Sequence, residues 1–298
     1  MRLKSILQGM RLPFLTGSIL PVWAAAAYEH QAIVSVWLDL SLVTLAAALL
    51  HLSSNLVNDY FDTEGTDRIN RFRTPFSGGS RIILDGAMSA RGVFFLALSL
   101  MALAGVIAIH FVYQGRPLVV VFGLAGALIG YFYSSRISNL MSKGWGEFCI
   151  FIAFGPLLTL GAGYALTGCI HPMQILVGAI PGYLITAVLW INQFPDYEAD
   201  ATTDKKNLVV RLGKAWARWP YVVLMCLPFP TIIALVSLRL LPFSTLAVIL
   251  ASPLVARALI VFLRVWNDPL RIVPAQALTI QCHLLVTALL ALSLIVRV

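Results

Sequence analysis

Charged side chains are scarce in this sequence, making up only 11% of its 298 residues. A soluble globular chain carries roughly 25%, so the shortage excludes the pair of water-soluble domains that the length alone suggests. Acidic residues are the fewest, 13 against 21 Lys and Arg. Cysteine is confined to Cys149, Cys169, Cys226 and Cys282, each in or beside an apolar run and none at metal-site spacing. Free thiols are the expectation there, and they carry no information about redox compartment. Low-complexity stretches are lacking too. What remains is apolar: 59% of the chain is hydrophobic and the mean hydropathy is +0.87. The fold class expected is all-α, as a polytopic membrane protein with one transmembrane domain over residues 1–298.

Apolar runs fall at about 12–28, 36–58, 91–113, 117–135, 145–168, 173–193, 218–238, 244–265 and 275–297, which makes about nine spans. The first and fourth are somewhat short. The first, with Arg2, Lys4 and Arg11 before it and Ala24–Ala27 at its end, has the look of a signal peptide. A chain that goes on as a series of spans makes an uncleaved first helix the better expectation. Numbering the connections alternately puts 17 Lys and Arg on the N-terminal side and three, Arg116, Arg239 and Arg297, on the other; Arg257 lies within a span and needs a partner. Such a bias makes the N-terminal side cytoplasmic. The net charge of +8 therefore reads as membrane topology, with no nucleic-acid partner expected.

Eight of the 13 acidic residues lie in two stretches, 55–67 and 192–204, each closing a long apolar run. Ionisable groups at the end of a membrane span are a functional-site hypothesis by default. At about 100° per residue, Asn55, Asp59 and Asp62 share one helix face, and so do Asn192, Asp196 and Asp200. The charge tally puts both on the cytoplasmic side. Two such faces together form an all-oxygen pocket suited to Mg²⁺, a hard cation shared between carboxylates and substrate phosphates. Asp59 and Asp62 with Asn55 or Asn58 would hold one ion, and Asp196 and Asp200 with Asn192 a second. Long basic connections follow each motif, with Arg68, Arg71, Arg73 and Arg81 in one and Lys205, Lys206 and Arg211 in the other. Pro195 is expected to kink or restart its helix and leave Asp196 beside a fresh helix N-terminus.

Carboxylate clusters, interleaved cations and a membrane setting together fit a lipid diphosphate. Arg68, Arg71, Lys205, Lys206 and Arg211 are the candidates to neutralise it. Charge drawn onto the diphosphate makes it a leaving group and lets an allylic C–O bond ionise. Aromatic faces such as Tyr60, Phe61, Tyr131, Tyr133 and Trp190 would stabilise the cation, and exclusion of water would protect it.

At these residues the chain resembles the UbiA superfamily of intramembrane aromatic prenyltransferases. That family's first motif, Asn-Asp-x-x-Asp-x-x-x-Asp, is matched by Asn58, Asp59 and Asp62, with Asp67 one residue late; its second, Asp-x-x-x-Asp, is matched by Asp196 and Asp200. Further resemblance lies in 67–71, 144–147, 154–156 and 205–213, nearly the whole length of the chain. Phe76–Arg81, Gly144–Glu147 and Asn192–Asp196 look most like the 1,4-dihydroxy-2-naphthoate prenyltransferases of menaquinone synthesis. The resemblance implies a helical bundle around a central cavity and two Mg²⁺ ions as cofactor. It also implies a polyprenyl diphosphate and an aromatic acceptor as substrates, loss of a naphthoate acceptor's carboxylate on prenylation, and a bacterial inner membrane as location. 4-Hydroxybenzoate or homogentisate is the alternative acceptor. Two departures matter. Asp67 joins the site only if Gly65-Thr66 breaks the helix, and Asp204 stands where relatives commonly have Gly, leaving Lys205 and Lys206 both open as the phosphate ligand.

Glu64 and Glu198 point away from the ligand faces and read as solvated. Glu147 at a helix start reads equally as a dipole partner or a site residue. His51 and His283 within spans read as satisfied polar contacts. A cation-coupled secondary transporter is the rival class; it would carry acidic groups near the bilayer midplane, with access from both sides.

Overall fold

The computed structural model describes residues 11–29, 37–63 and 65–296, and among these every regular element is helical. Arg2, Lys4, Glu64 and Arg297 lie outside the described residues. The long helices are α1 (Thr16–Glu29), α2 (Trp37–Asp62), α3 (Ala90–Tyr113), α4 (Leu118–Ser134) and α5 (Gly146–Thr167). They continue with α6 (Met173–Thr202), α7 (Lys214–Ser237), α8 (Phe243–Val265) and α9 (Val273–Val296). Seven of them, all but α1 and α4, are long and apolar enough to cross a membrane. At ~1.5 Å per residue, the 14 residues of α1 and 17 of α4 reach only about 21 and 26 Å, short of the ~30 Å hydrocarbon layer. The expected count of nine crossing spans is therefore approximate.

Two helices exceed that layer the most. α2 has 26 residues and α6 has 30, about 39 and 45 Å. The apolar runs of both end where expected, but the helices run on through the acidic stretches. The motifs are thus helix ends projecting past the hydrocarbon. Large side chains such as Phe95, Val121 and Leu250 are exposed on the outer surface. Only lipid tails make that surface inexpensive.

α6 is the axis of the bundle, with 78% of its apolar window buried. It corrects one expectation. The helix runs unbroken through Pro195, so Asp196 lies within it and not at a new helix N-terminus. Proline removes one hydrogen bond, and packed neighbours in a membrane bundle compensate for that loss. α5 is the helix that breaks, at Gly155 (φ −112°, ψ −105°). There it crosses α6 with glycine against glycine. A Cβ on Gly178 would lie 2.1 Å from Thr159 Oγ1 and 2.7 Å from the Gly155 backbone, the close approach that small residues permit between membrane helices. Thr159 donates to the Gln174 carbonyl at 2.7 Å beside it. This crossing fixes α5 against α6 below the acidic end.

Candidate active site

α2 stops at Asp62, where the Gly65 N–H closes onto the Asp62 carbonyl at 3.0 Å. The chain then makes one short helical turn, Thr66–Ile69. That break turns Asp67 back toward the α2 end, where it is buried and faces the cavity. The following loop straps across to α6. Asn70 Nδ2 donates to Asp196 Oδ1 at 2.7 Å, and the Gly78 N–H donates to Asp196 Oδ2 at 3.3 Å. On the α2 side the Ser80 N–H donates to Asp59 Oδ1 at 3.2 Å, and the Ser80 hydroxyl donates to Asp59 Oδ2. Gly78 and Gly79 sit at φ +79° and +71°, and a Cβ on Gly79 would fall 1.9 Å from Asp67 Oδ2. Only glycine lets the strap lie on that carboxylate. The loop after the first motif thus bonds directly to the second.

Two cations complete the cluster. Lys205 Nζ lies 2.9 Å from Asp62 Oδ2 and 3.8 Å from Asp200 Oδ1, so one ammonium joins a carboxylate of each motif. Arg11 Nη2 lies 2.6 Å from Asp59 Oδ1. Burial pulls the Lys205 ammonium down, but Asp200, Asp62 and Asp67 outweigh it and hold the group well above its usual value. For Arg11, burial is likewise outweighed by Asp59 and Asp67. Asp67 is pushed up to about 7, by burial first and the Asp62 charge second, against Lys205 and Arg11. Five carboxylates thus face two cations. Asp200 Oδ1 is buried without a hydrogen-bond partner, and the whole donor set is oxygen, as a hard divalent cation requires. Among the described residues no three acidic, His or Cys side chains converge on one point ready for a metal. The donors fit Mg²⁺ in kind, in a cluster that its two cations now partly neutralise.

Below the cluster lies a cavity of about 550 Å³, walled by α2 to α6. Asp62, Asp196, Asp200 and Lys205 stand at one end; Phe111 and Val119 line the other. Along α2 it extends from Asp62 to Val43, about 28 Å at ~1.5 Å per residue. Behind the far end Arg116 Nη1 binds Asp39 Oδ2 at 2.6 Å and the Ala165 carbonyl at 2.5 Å. A charged mouth thus opens onto a long apolar channel.

The chain matches the family model described as the UbiA prenyltransferase family over residues 18–282. This chain belongs to the UbiA prenyltransferase family. It is 30% identical over 288 residues to the 1,4-dihydroxy-2-naphthoate octaprenyltransferase of Haemophilus influenzae, covering 94% of this chain and 90% of that protein. To the protein of the same name from Mycobacterium tuberculosis it is 29% identical over 256 residues, 84% of this chain and 83% of that one. A solved UbiA homologue from Archaeoglobus fulgidus bound to DMAPP and Mg²⁺ superposes with a TM-score of 0.66 at 19% identity, covering 95% of this chain and 99% of that one. Membership decides the class: this UbiA-family chain is an integral membrane prenyltransferase, and the transporter expectation is dropped.

In this UbiA bundle Asn55, Asn58, Asp62, Asp67, Asn192, Asp196, Asp200 and Lys205 all line the cavity. Asp59 sits behind them, 2% exposed and held by Arg11 and Ser80. Asn58 Nδ2 donates to Asp62 Oδ2 at 3.0 Å and to Ser134 Oγ at 2.8 Å, and Asn192 Oδ1 accepts from Gln276 at 2.9 Å. Other candidates stand apart from the cavity. Arg68 and Arg71 are exposed. Lys206 donates to the Ala201 carbonyl at 2.7 Å, and Arg211 to the carbonyls of Lys206 and Ser142. Of the candidate aromatics Tyr60, Phe61, Tyr131, Tyr133 and Trp190, Tyr133 alone lines the cavity. Tyr60 packs on Phe94 and Phe61, Tyr131 on Phe61 and Phe132, and Trp190 donates to the Ala217 carbonyl in the core. Helix register turns those three rings into the packing between helices. Glu198 is exposed, whereas Glu147 is buried and accepts from Gln193 Nε2 at 2.9 Å and the Leu208 N–H at 3.2 Å. His51 pairs with Ser18 at 2.6 Å, while His283 Nε2 has no hydrogen-bond partner.

Four participants were not among the sequence candidates: Arg11, Asn70, Ser80 and Asn207, whose Nδ2 donates to Asp200 Oδ2 at 2.7 Å. Asn207 also caps the short helix Leu208–Leu212 through the Val210 N–H. An Asn before an apolar turn is a readable cap signal, but its second bond, to Asp200, leaves none.

Proposed function

We propose that this enzyme transfers a polyprenyl group from a polyprenyl diphosphate to 1,4-dihydroxy-2-naphthoate, with loss of the acceptor's carboxylate. The observation that carries this reading is the meeting of both acidic helix ends, bridged by Lys205 and Asn70, at the mouth of a long apolar cavity. The acceptor is supported by the two relatives that share that activity's name. Use of Mg²⁺ is supported by the Archaeoglobus fulgidus homologue, whose structure is described as holding DMAPP and Mg²⁺.

Asp62, Asp196 and Asp200, with Asp67 and the amides of Asn55, Asn58 and Asn192 beside them, would hold Mg²⁺, two ions in this reading. When bound, Mg²⁺ supplies Lewis-acid charge to the diphosphate oxygens. Lys205 and Arg11 neutralise further diphosphate charge, so that the allylic C–O bond breaks with its electron pair leaving on diphosphate. Asp59 anchors the strap through Ser80 and keeps Arg11 at the mouth. The apolar walls seat the prenyl tail and exclude water from the cation. Tyr133, which lines the cavity, would offer its ring to that cation. The electron-rich ring carbon of the acceptor then attacks the prenyl carbon, and the electrons of the departing carboxylate's C–C bond restore the aromatic ring. The charge bias of 17 against three supports a cytoplasmic mouth in a bacterial inner membrane.

Detergent-purified protein given Mg²⁺, a polyprenyl diphosphate and 1,4-dihydroxy-2-naphthoate is expected to yield prenylated product, pyrophosphate and CO₂. Product with 4-hydroxybenzoate or homogentisate alone would move the acceptor assignment. No pyrophosphate with any aromatic acceptor would overturn the reading.

A further inference from the structure

Arg218 of α7 has no ion-pair or hydrogen-bond partner for its guanidinium among the described residues, yet two indole rings hold it in place. Its Cζ lies 5.0 Å from the ring centroid of Trp219 and 5.1 Å from that of Trp266, the residue just past the end of α8. Both distances are within the ~6 Å reach of a cation–π contact. Nε is buried against the rings and unpartnered. The residue as a whole is half-buried, which leaves the two Nη groups facing outward. None of these three residues lines the cavity.

The place of this fork in the bundle bears on what it binds. α7 starts at Lys214, directly after the loop of Lys205 and Arg211, so Arg218 stands at the same end of the molecule as the acidic mouth. The 24 residues of α7 reach about 36 Å, slightly more than the ~30 Å hydrocarbon layer. Arg218, about 6 Å from that helix end, therefore lies near the hydrocarbon edge. Side chains lean toward the N-terminus of their helix, which here aims the fork at the headgroups. Trp216 and Trp219 are 72% and 48% exposed, in keeping with rings at that boundary. Asp268, two residues beyond Trp266, turns its Oδ1 to the Leu270 and Arg271 N–H groups. Arg264 and Arg271 stand exposed at the same end. Deeper in the layer, Val223 of α7 and Leu263 of α8 expose apolar surface on which acyl chains can lie.

We infer that Arg218, clasped by Trp219 and Trp266, is a binding site for the phosphate of an anionic phospholipid on the outer face of α7 and α8. The two Nη groups present N–H donors side by side, matching two phosphate oxygens. The surrounding cations favour a headgroup of net negative charge over one that carries its own ammonium. The rings fix the fork before the lipid arrives, so little ordering is left for binding to impose. The site is separate from the cavity and independent of the acceptor that the enzyme uses.

The test takes the full chain in nonionic detergent and adds phosphatidylglycerol, phosphatidylcholine with the same acyl chains, or inorganic phosphate. Native mass spectrometry reads the lipid retained, and thermal unfolding reads its effect. The wild type is expected to prefer phosphatidylglycerol by about fivefold and to unfold at a higher temperature with it, while inorganic phosphate shifts nothing. Arg218→Gln should remove the preference. Lys143→Gln, which deletes an exposed cation at the same end of the molecule, should keep it. Trp266→Leu, which frees the guanidinium, should weaken the preference and serves if Arg218→Gln does not fold. Equal retention of the two lipids by the wild type, or a preference that survives both Arg218→Gln and Trp266→Leu, overturns the site. An equal loss in Lys143→Gln also overturns it, by reducing the effect to general surface charge. A thermal shift with inorganic phosphate as large as that with phosphatidylglycerol overturns the lipid assignment.

Discussion

Lys205 and Lys206 are neighbours in sequence with opposite surroundings: one ammonium lies between Asp62 and Asp200, the other on the Ala201 carbonyl. No pattern in the sequence separates them, because the helix ends at Thr202 and register is lost before the pair. Lys205→Ala is expected to lower kcat/KM at least about a hundredfold, ~2.7 kcal/mol at 1.36 kcal/mol per tenfold, and Lys206→Ala less than about threefold. Equal losses in steady-state assays would contradict the assignment. Asp67 gives a second residue-scale prediction. Its carboxyl titrates from 3.8 when unfolded to about 7 in the metal-free fold. A folded value above the unfolded one means that the folded state favours the protonated form. The stability this provides is full below 3.8 and is lost as pH rises to about 7. Asp67→Asn cannot ionise, so in the absence of metal it should melt above the wild type by a margin that opens across that window. A margin independent of pH, measured by thermal unfolding in chelator, would refute it. The cavity-end carboxylates Asp62, Asp196 and Asp200 were legible because helical spacing needs only a helix, whereas Asp59, on the same expected face, lies buried behind them. The aromatics were not, since Tyr60, Tyr131 and Trp190 are as suited to interhelical packing as to a cavity wall.

At the scale of elements, the helix ends could be read and the strap could not. Two amide-and-carboxylate faces recur in sequence, whereas the bonds from Asn70 and Gly78 to Asp196 join residues 126 and 118 apart. Only the fold brings those together. Glycine at 78 and 79 hinted at a tight loop, and Gly79 now has a definite task. Gly79→Ala would drive a Cβ into the Asp67 carboxylate, displacing the strap, and is expected to abolish turnover. Gly86→Ala has the same left-handed backbone, φ +68°, with nothing within 4 Å. It should cost only the backbone strain, about 1–2 kcal/mol, and keep activity. Comparable activity in the two variants would mean that the strap does not order the site. The Gly155–Gly178 crossing supplies a stability counterpart. Gly178→Ala should lower the unfolding temperature through overpacking of about 1–3 kcal/mol, while Gly126→Ala, with open space around it, should not. Pro195 misled at this scale because its local rule is real but weaker than the packing around α6.

For the whole molecule, composition was enough to specify a membrane bundle, but helix length had to be seen. α2 and α6 carry their motifs out of the hydrocarbon because they are longer than their apolar runs, and that excess is polar sequence that hydropathy alone does not count as span. Orientation rests on the 17-to-three charge bias, and one native residue reports on it. Cys169 lies exposed between α5 and α6, at the end of α6 opposite its acidic residues. The other thiols are poor aqueous reporters: Cys149 is half-buried, Cys282 is buried, and Cys226 is exposed within the apolar stretch of α7. If the acidic mouth is cytoplasmic, a membrane-impermeant maleimide should label wild-type protein in intact cells at Cys169, and Cys169→Ser should remove the signal. Labelling that requires lysis of the cells would put Cys169 inside. The mouth would then face away from the cytoplasm, and the charge bias would have to be explained by something other than insertion.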